Sequence, residues 1–415
     1  MRPRSLEDDM ITELYMDIQH GPWQFLLGKQ IVQWGQLDVN RVADVVNPLD
    51  LRHGVPGVDA WEEIKRGVWM LRTFYQSDLP GSLLFEFIFN PGNFRGLNLP
   101  YQGTHWQIEG FRNKDFHPDE RGMWSWQLAK QYRDQPGWNL KENYEFGGRL
   151  TGYTWGIDWT LLYWNHRSDG PTDAYPQRAT DLAFQYVKAG LSSLVTGGPL
   201  DPGAHPGHRV FRHRRFQTIG GTAQYFADRL WDTTWDLEWF YEIGSPLLQG
   251  VDGNYMAPSG NTRKDILGIA IKVGDRWRMP KWFRDIFQTQ KKMEITLTYF
   301  YEHIFNHKRN LVVNDRFHRP GNSGTDSCSL FIREELFNTS WNFVFIGNYY
   351  FKLGKWMAVP CFTYVFPDNF LGGGFRADIG AKVYGGAKHG LKEPSQLSHF
   401  MDKVDSIILR LRYEF

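Results

Sequence analysis

The stretch that decides the fold closes the chain: Asp402–Phe415, with the sequence DKVDSIILRLRYEF. One face of it would carry Ile407, Leu409, Leu411, Tyr413 and Phe415, and the other Ser406, Arg410, Arg412 and Glu414. This period of two predicts a β-strand with one apolar and one polar face. An ordinary sheet edge fits the same pattern. The terminal aromatic residues favour the closing strand of an outer-membrane barrel, which turns an apolar face with an aromatic border toward lipid.

The composition narrows the class of protein. Aromatic residues make up 16% of the chain, yet mean hydropathy is −0.49 and no run of 18 apolar residues occurs, which excludes a helical membrane protein. A barrel accounts for both, because alternate strand residues face a polar interior and the loops are polar. The net charge of +1, with both signs mixed throughout, argues against a nucleic-acid-binding surface.

Further alternating stretches pair into hairpins, and Thr233–Ile243 is the clearest of them. Their connections alternate between tight turns, such as His20-Gly21-Pro22, and long segments. The long segments are 36–67, 91–141, 167–207 and 244–262. Outer-membrane barrels have this rhythm, with short periplasmic turns and long extracellular loops. We therefore predict an all-β fold, a transmembrane antiparallel β-barrel with 13–15 strands in this sequence.

We expect residues 1–415 to form a single barrel domain. The first strand leads into a tight turn and the last should end on the same, periplasmic side, so the strand count should be odd. Single-chain bacterial barrels have even counts, and MRPRSLEDDM lacks the apolar core of a signal peptide. We therefore expect an N-terminal truncation, and about 16–18 strands in the complete protein.

Alternation predicts which charged residues face the lumen. They are Glu13, Asp17, Arg72, Glu86, Glu145, Arg149, Asp236, Glu238, Glu242, Lys272, Glu294, Glu302, Arg410 and Arg412. These side chains could pair with one another and simply line a hydrated pore. They could also set a transverse field that selects the solutes passing through the pore.

Segment 36–67 interrupts the alternation with apolar groups and charged residues. The charged residues that we single out in it are Asp38, Arg41, Asp44, Asp50, Arg52, Asp59 and Glu62. Long insertions between strands are commonly functional. Because the segment contains apolar residues as well, we expect it to fold into the barrel and constrict the pore. An exposed cap and a contact with another barrel are the alternatives.

Other features carry weaker signals. A basic cluster at Arg209, Arg212, His213, Arg214 and Arg215 could attract anionic solutes or lipopolysaccharide. An amphipathic helix is predicted over Pro280–Thr289.

The sequence contains no strong sign of catalysis or of a bound cofactor. Cys328 and Cys361 lie outside any metal or haem motif, and they could pair or remain free thiols. The run His166-Arg167-Ser168-Asp169 has hydrolase residue types but no catalytic spacing, and no GxSxG, HExxH or phosphate loop occurs. We expect no enzyme activity, no metal and no cofactor.

Three motifs in order resemble a known family. They are Leu14-Tyr15-Met16-Asp17, Gly28-Lys29-Gln30 with Trp34-Gly35, and Asp44-Val45-Val46-Asn47-Pro48-Leu49-Asp50. Together with the terminal Tyr413-Glu414-Phe415, they resemble the proteobacterial outer-membrane proteins grouped as domain of unknown function 1302, which are distantly similar to porins and alginate-export barrels. In our interpretation Gly28, Gln30, Trp34, Gly35, Asn47 and Pro48 anchor the insert to the barrel wall.

We therefore expect an outer-membrane channel or export barrel of a Gram-negative bacterium, which passes small or amphipathic solutes through a lumen of mixed charge. The expected partners are outer-membrane lipid and lipopolysaccharide, an unknown solute and, as the resemblance implies, a periplasmic or inner-membrane exporter. The alternative is a structural barrel that sheathes or docks a partner protein, such as an efflux component or an electron carrier.

Overall fold

The computed structural model describes residues 11–37, 42–49, 64–78, 82–94, 137–169, 173–174, 211–227, 233–251, 254–289, 291–308, 311–312, 322–367, 374–386 and 405–413. The strands are β1 (Leu14–His20), β2 (Trp23–Gln30), β3 (Val68–Gln76), β4 (Leu84–Asn90), β5 (Asn93–Phe94), β6 (Gly137–Trp138), β7 (Glu145–Thr154), β8 (Ile157–Arg167), β9 (Asp173–Ala174), β10 (Phe211–Arg212), β11 (Arg215–Ala227), β12 (Thr233–Val251), β13 (Asn254–Trp277), β14 (Met293–Ile304), β15 (Leu311–Val312), β16 (Gly324–Leu336), β17 (Trp341–Tyr350), β18 (Lys355–Val365), β19 (Phe375–Gly386) and β20 (Ser406–Tyr413). A helix, α1 (Lys281–Phe287), lies between β13 and β14. Within the described ranges, no helix is long and apolar enough to span a membrane.

Fifteen of the described strands form one continuous antiparallel sheet. Each of them pairs with the next of these fifteen strands along the chain. Their order is β1-β2-β3-β4-β7-β8-β11-β12-β13-β14-β16-β17-β18-β19-β20. The short β15 pairs with β12, while β5–β6 and β9–β10 form two separate small sheets. The prediction of an all-β antiparallel fold with 13–15 strands is confirmed. Among the described strands, β1 and β20 each pair on one side only.

The sheet has two ends. We call the end that holds the connections after β1, β3, β7, β11, β13, β16 and β18 the turn rim, and the opposite end the loop rim. At the turn rim β7 and β8 are joined by Trp155 and Gly156 alone, with φ values of 54° and 80°. Two central residues with positive φ are typical of a type I′ turn, whose twist matches that of the strands it joins.

The prediction that 244–262 is a long loop is wrong. In the structure β12 continues to Val251 and β13 begins at Asn254, so most of this stretch is a paired hairpin. Gly244 and Pro246 break the alternation in the sequence. The structure accommodates them with a register shift between Glu242 and Ser245, where Gly244 has a φ of 65° and pairing resumes as Ser245 opposite Lys264.

Polarity is inverted relative to a soluble sheet protein. On β4 the exposed side chains are Phe85, Phe87 and Phe89, while the alternating Glu86 and Asn90 are buried. Most other strands of the sheet also expose apolar side chains on the side of these phenylalanines, but β1 is exposed along its whole length, and the buried side of β3 and β4 also carries the apolar Val68, Met70 and Ile88. We call the side with the buried polar residues the inner face and the other side the outer face.

The connection between β2 and β3, residues 31–67, covers part of the inner face, and we call it the β2–β3 insert. Its Val32, Trp34, Ala43 and Val46 form a buried apolar cluster with side chains of β3, β4 and β8. Its Leu37 and Val42 join a second cluster with side chains of β12, β13 and β14. One short segment touches both groups of strands, so the sheet must curve around it.

Candidate functional site: the inner face and its insert

The insert is tied to β2 and β3 by side-chain amides. The Gln30 side-chain amide donates hydrogen bonds to the carbonyl oxygens of Leu26 (3.1 Å) and Met70 (3.2 Å). Asn47 accepts from the Val32 amide at 2.7 Å and donates to the carbonyl oxygens of Gln30 (3.0 Å) and Arg66 (2.8 Å). The Asn47 bonds satisfy the Val32 amide and the Arg66 carbonyl, which lie outside the strands; buried irregular backbone requires such partners.

A buried ion pair closes the insert on itself. The Lys65 Nζ lies 2.6 Å from the Asp44 Oδ2, and their side chains are 0% and 6% exposed. Lys65 also donates to the Val32 carbonyl, and the other Asp44 oxygen accepts from the Trp34 amide. Each charge therefore has additional hydrogen-bond partners, the condition under which a buried pair is tolerated.

Glu238 of β12 joins the insert to the far wall. This carboxylate is 0% exposed and accepts hydrogen bonds from the backbone amides of Gln36 and Ala43. On the neighbouring β13, the Lys272 Nζ donates to the Gln36 carbonyl at 3.0 Å and lies 3.1 Å from an Asp236 carboxylate oxygen. The insert backbone is thus held between an acid that accepts and a base that donates.

On the near wall, charges of three adjacent strands converge. Glu86 of β4 accepts from Arg72 of β3 at 2.5 Å and from Arg149 of β7 at 2.9 Å. The Arg149 guanidinium lies 5.9 Å from the centre of the Trp34 ring, and Trp34 meets the Trp164 ring edge-on at 5.7 Å. The insert therefore rests on an ion triad and an aromatic pair.

The remaining predicted lumen residues lie away from these contacts. Glu145 is buried and accepts from the Arg167 amide and the Asn90 side chain, each at 3.0 Å. Glu242 and Glu302 are buried, and Glu294 is half-buried.

The predicted lumen residues near the two sheet edges are more exposed. Glu13 accepts from the Ile31 amide, and Asp17 accepts from the Gln24 side chain. Arg410 lies 3.2 Å from Asp378. Arg412 pairs with Arg376 in the strand register, and its side chain is outside the described set.

Only one of the seven charged residues singled out in segment 36–67 falls in the described ranges. It is Asp44, the partner of Lys65. The other six, Asp38, Arg41, Asp50, Arg52, Asp59 and Glu62, lie outside the described residues.

Sequence reasoning missed three components of this site. Lys65, Trp164 and the amides of residues 36 and 43 were not singled out, although all contact the insert or its charges. For Lys65 the sequence offered a signal, because a lysine at the end of a partly apolar insert indicates a buried partner for its charge. The insert also leaves the sheet at Ile31, five residues before the predicted start.

The weaker sequence signals have structural partners. Arg215 donates to the Tyr144 carbonyl and to the Asn165 side chain, and His213 is buried against the Ser168 carbonyl. Arg209 lies outside the described residues.

The two cysteines are free thiols. The strand register puts Cys328 on the outer face of β16 and Cys361 on the inner face of β18, so the two thiols point away from each other. Among the residues that the structure describes, no group of three or more His, Cys, Asp or Glu side chains could hold a metal ion.

These features define a class of protein: a single antiparallel meander with an apolar outer face, a polar inner face and an insert bound inside. Residues 8–355 match the sequence profile of the family described as "Protein of unknown function (DUF1302)". The chain belongs to this family. The match extends well beyond the motifs at 14–50 and ends before the closing strand. A comparison with curated proteins finds no match.

Proposed function

We propose that this chain forms an outer-membrane channel or export barrel for small or amphipathic solutes, and that the β2–β3 insert controls the width of its passage. The observation that carries the proposal is the inverted polarity of the sheet: an apolar outer face with two aromatic borders encloses a polar inner face. A wall of this kind suits lipid on one side and a hydrated path on the other.

One aromatic border follows the turn rim on the outer face. Trp23, Tyr75 and Phe85 of three adjacent strands are in register, with ring centres 4.6 and 6.2 Å apart. Further round the sheet, Trp341 meets Tyr364 at 5.0 Å, and Phe375 meets Tyr413 at 5.0 Å. Such a girdle is typical of the boundary between hydrocarbon and headgroups.

A second border follows the loop rim. Phe146 and Tyr163 lie 6.3 Å apart, and Tyr241 and Phe305 lie 6.0 Å apart. Between the two borders the outer face is apolar. Its exposed members include the aliphatic Leu161, Ile219, Leu237, Ile271, Leu297, Ile379 and Leu409 and the aromatic Phe87, Tyr299 and Phe362. Trp235 and Tyr241 mark the two borders on β12, six residues or about 20 Å apart, which is comparable to the apolar band of a membrane barrel.

The insert gives the proposed channel its control element. It fills the space between the β3–β8 wall and the β12–β14 wall, so solutes could not cross that part of the interior while it stays seated. The strands from β17 to β20 carry a separate apolar cluster of Ile346, Met357 and Val359 on the inner face, together with the Asp378–Arg410 pair. A mixed polar and apolar inner wall suits amphipathic solutes. The exporter partner remains a prediction from the family resemblance, and the absence of catalysis remains a prediction from the sequence motifs.

Single-channel conductance in a planar bilayer tests the proposal. Replacing residues 38–64 with a short Gly-Ser linker should raise conductance, because the linker removes Val42 and Ala43, two of the insert residues that contact the β12–β14 wall. No conductance in either form would overturn the channel and favour a barrel that sheathes a partner.

A point variant separates control by the insert from a simple change in lumen charge. Glu238→Ala removes the acceptor for the Gln36 and Ala43 amides and should increase the open probability. Asp378→Ala is the matched control, because it removes an inner-face acid from β19 that pairs with Arg410. Equal effects of both variants would show that charge alone, and not insert seating, sets conductance.

A further inference from the structure

The helix α1 is bound to the outside of the sheet. It begins after Pro280 and ends at Phe287. The next residue, Gln288, caps the helix in the left-handed conformation, with a φ of 49°. Its Phe283 and Phe287 rings lie 4.5 Å apart, and Phe287 reaches the Phe337 ring of the β16–β17 turn at 6.0 Å. The Phe337 amide donates to the Phe287 carbonyl at 2.6 Å. The helix therefore runs from the end of β13 to the next turn, across the end of β14.

The strand register shows which face the helix covers. Cys328, Leu330 and Ile332 of β16 pair with the outer-face residues Tyr299, Leu297 and Ile295 of β14. Glu334 and Leu336 continue the same side of β16, yet both are buried, whereas the outer-face residues Leu330 and Ile332 of the same strand are half-buried and Leu297 and Tyr299 of β14 are exposed. Since α1 joins this end of β16 through Phe287 and Phe337, we attribute that burial to the helix. It therefore lies on the apolar outer face, at the turn rim.

The side of α1 next to the phenylalanine side, about 100° round the helix axis, is apolar and exposed. Trp282 and Ile286, one helical turn apart, are 63% and 60% exposed. Trp277, at the end of β13, and Phe337 are exposed beside them and belong to the aromatic border of the turn rim. The exposed apolar side of the helix is thus continuous with the outer face that the proposed channel turns toward lipid.

Basic residues surround this surface. Residues 275–294 contain six basic and three acidic residues, an excess greater than the net charge of the entire chain. Arg278 and Lys281 are exposed on the N-terminal side of the helix, and Lys291 and Lys292 on its C-terminal side. Arg276 is also exposed, but it lies on the inner-face side of β13, opposite Glu294. A short helix with exposed Trp and Ile and flanking cations matches the chemistry of a lipid interface, where apolar residues enter the acyl boundary and cations meet phosphates.

We propose that α1 is an interfacial anchor that lies in the headgroup region of the leaflet bordering the turn rim and binds anionic phospholipid there. This inference rests on the proposed function, because it requires the sheet to span a membrane. A periplasmic protein is the competing occupant of the same surface, and the tests below distinguish the two.

Spin-label accessibility in lipid nanodiscs tests the depth of the helix. Single cysteines at Ile286, Asp285 and Leu297 are introduced into a Cys328→Ser, Cys361→Ser background. The label at position 297 should be reached by oxygen and protected from a water-soluble nickel chelate. The label at position 286 should show the same preference more weakly, and the label at position 285 the reverse.

The outcomes separate two failures. If position 286 is as open to the nickel chelate as position 285 while position 297 is protected, the barrel stands and the lipid anchor is overturned. If position 297 is also open to the chelate, the membrane barrel itself is wrong.

The choice of headgroup is tested by native mass spectrometry of protein released from nanodiscs with equal phosphatidylglycerol and phosphatidylcholine. Wild type should retain phosphatidylglycerol several-fold over phosphatidylcholine, and Arg278→Gln with Lys281→Gln and Lys292→Gln should lose most of that enrichment. The matched control, Arg263→Gln with Lys264→Gln and Lys308→Gln, removes three cations near the loop rim and should keep it. Equal loss in both triple variants, or no enrichment in wild type, would overturn the anionic site.

Discussion

The two faces of β12 are made of alternate residues of one strand, yet one face is buried and paired with polar groups and the other is exposed. On the inner face Asp236 and Glu238 are buried, and both are held by polar partners from β11, β13 or the insert. On the outer face Trp235 and Leu237 are exposed. In a soluble sheet the apolar face is the buried one. The difference teaches that the inner face is stabilised by pairing between polar side chains, whereas the outer face depends on the solvent or lipid that surrounds it.

The largest expected effect comes from leaving one inner charge without its partner. Lys65→Ala removes the counter-charge of Asp44 in a dry setting, so the free energy of unfolding should fall by about 3–5 kcal/mol. Urea unfolding in lipid vesicles, followed by heat-modifiable gel migration, measures it. The double variant Asp44→Asn, Lys65→Met should recover most of the loss. A loss below about 1 kcal/mol would mean that the pair is solvated, as surface pairs are.

On the outer face, the introduction of a charge should destabilise the protein, whereas on the inner face the loss of a charge does so. Leu297 of β14 is 51% exposed and lies between the two aromatic borders. Leu297→Arg should destabilise the protein in a bilayer by about 2–4 kcal/mol, because an arginine near the bilayer centre is poorly solvated. Trp155→Arg, in an exposed turn beyond the border, is the control and should have little effect. Equal tolerance at both positions would contradict a lipid-facing surface.

A smaller effect is expected where only one hydrogen bond is mismatched. Glu238→Gln keeps one oxygen acceptor for the insert but turns an NH₂ group toward the second backbone amide. We expect a loss of about 1–3 kcal/mol and faster hydrogen exchange at the amides of Gln36 and Ala43. Unchanged exchange at both amides would show that Glu238 does not hold the insert.

The smallest effect should come from an exposed ion pair near α1. Lys291 and Glu335 lie 2.8 Å apart, but the lysine side chain is largely exposed. Lys291→Ala should therefore change the free energy of unfolding by less than about 1 kcal/mol, and high salt should abolish the difference. A loss as large as that of Lys65→Ala would remove the contrast between the inside and the outside of the sheet.

Much of the fold could be predicted because strand alternation is a local property. The period of two assigns Glu86, Asp236 and Glu238 to one face without any knowledge of their neighbours. The tight turn at His20-Gly21-Pro22, and the helix over 281–287 within the predicted Pro280–Thr289, also depend on a few adjacent residues. Residues 244–262 were mispredicted because a bulge restores pairing after the alternation has been lost, and only the partner strand supplies that information.

The contacts of the candidate site depend on residues far apart in the chain. Glu238 meets Ala43 across 195 residues, and Lys272 meets Gln36 across 236. The sequence by itself determined the strands, their two faces and the presence of an apolar insert with anchoring motifs. Only the tertiary structure decided that the insert seats between two walls and that α1 packs on the outer face. The physical reason is that side-chain direction along a strand is fixed locally, whereas the curvature of the sheet decides which distant residues meet.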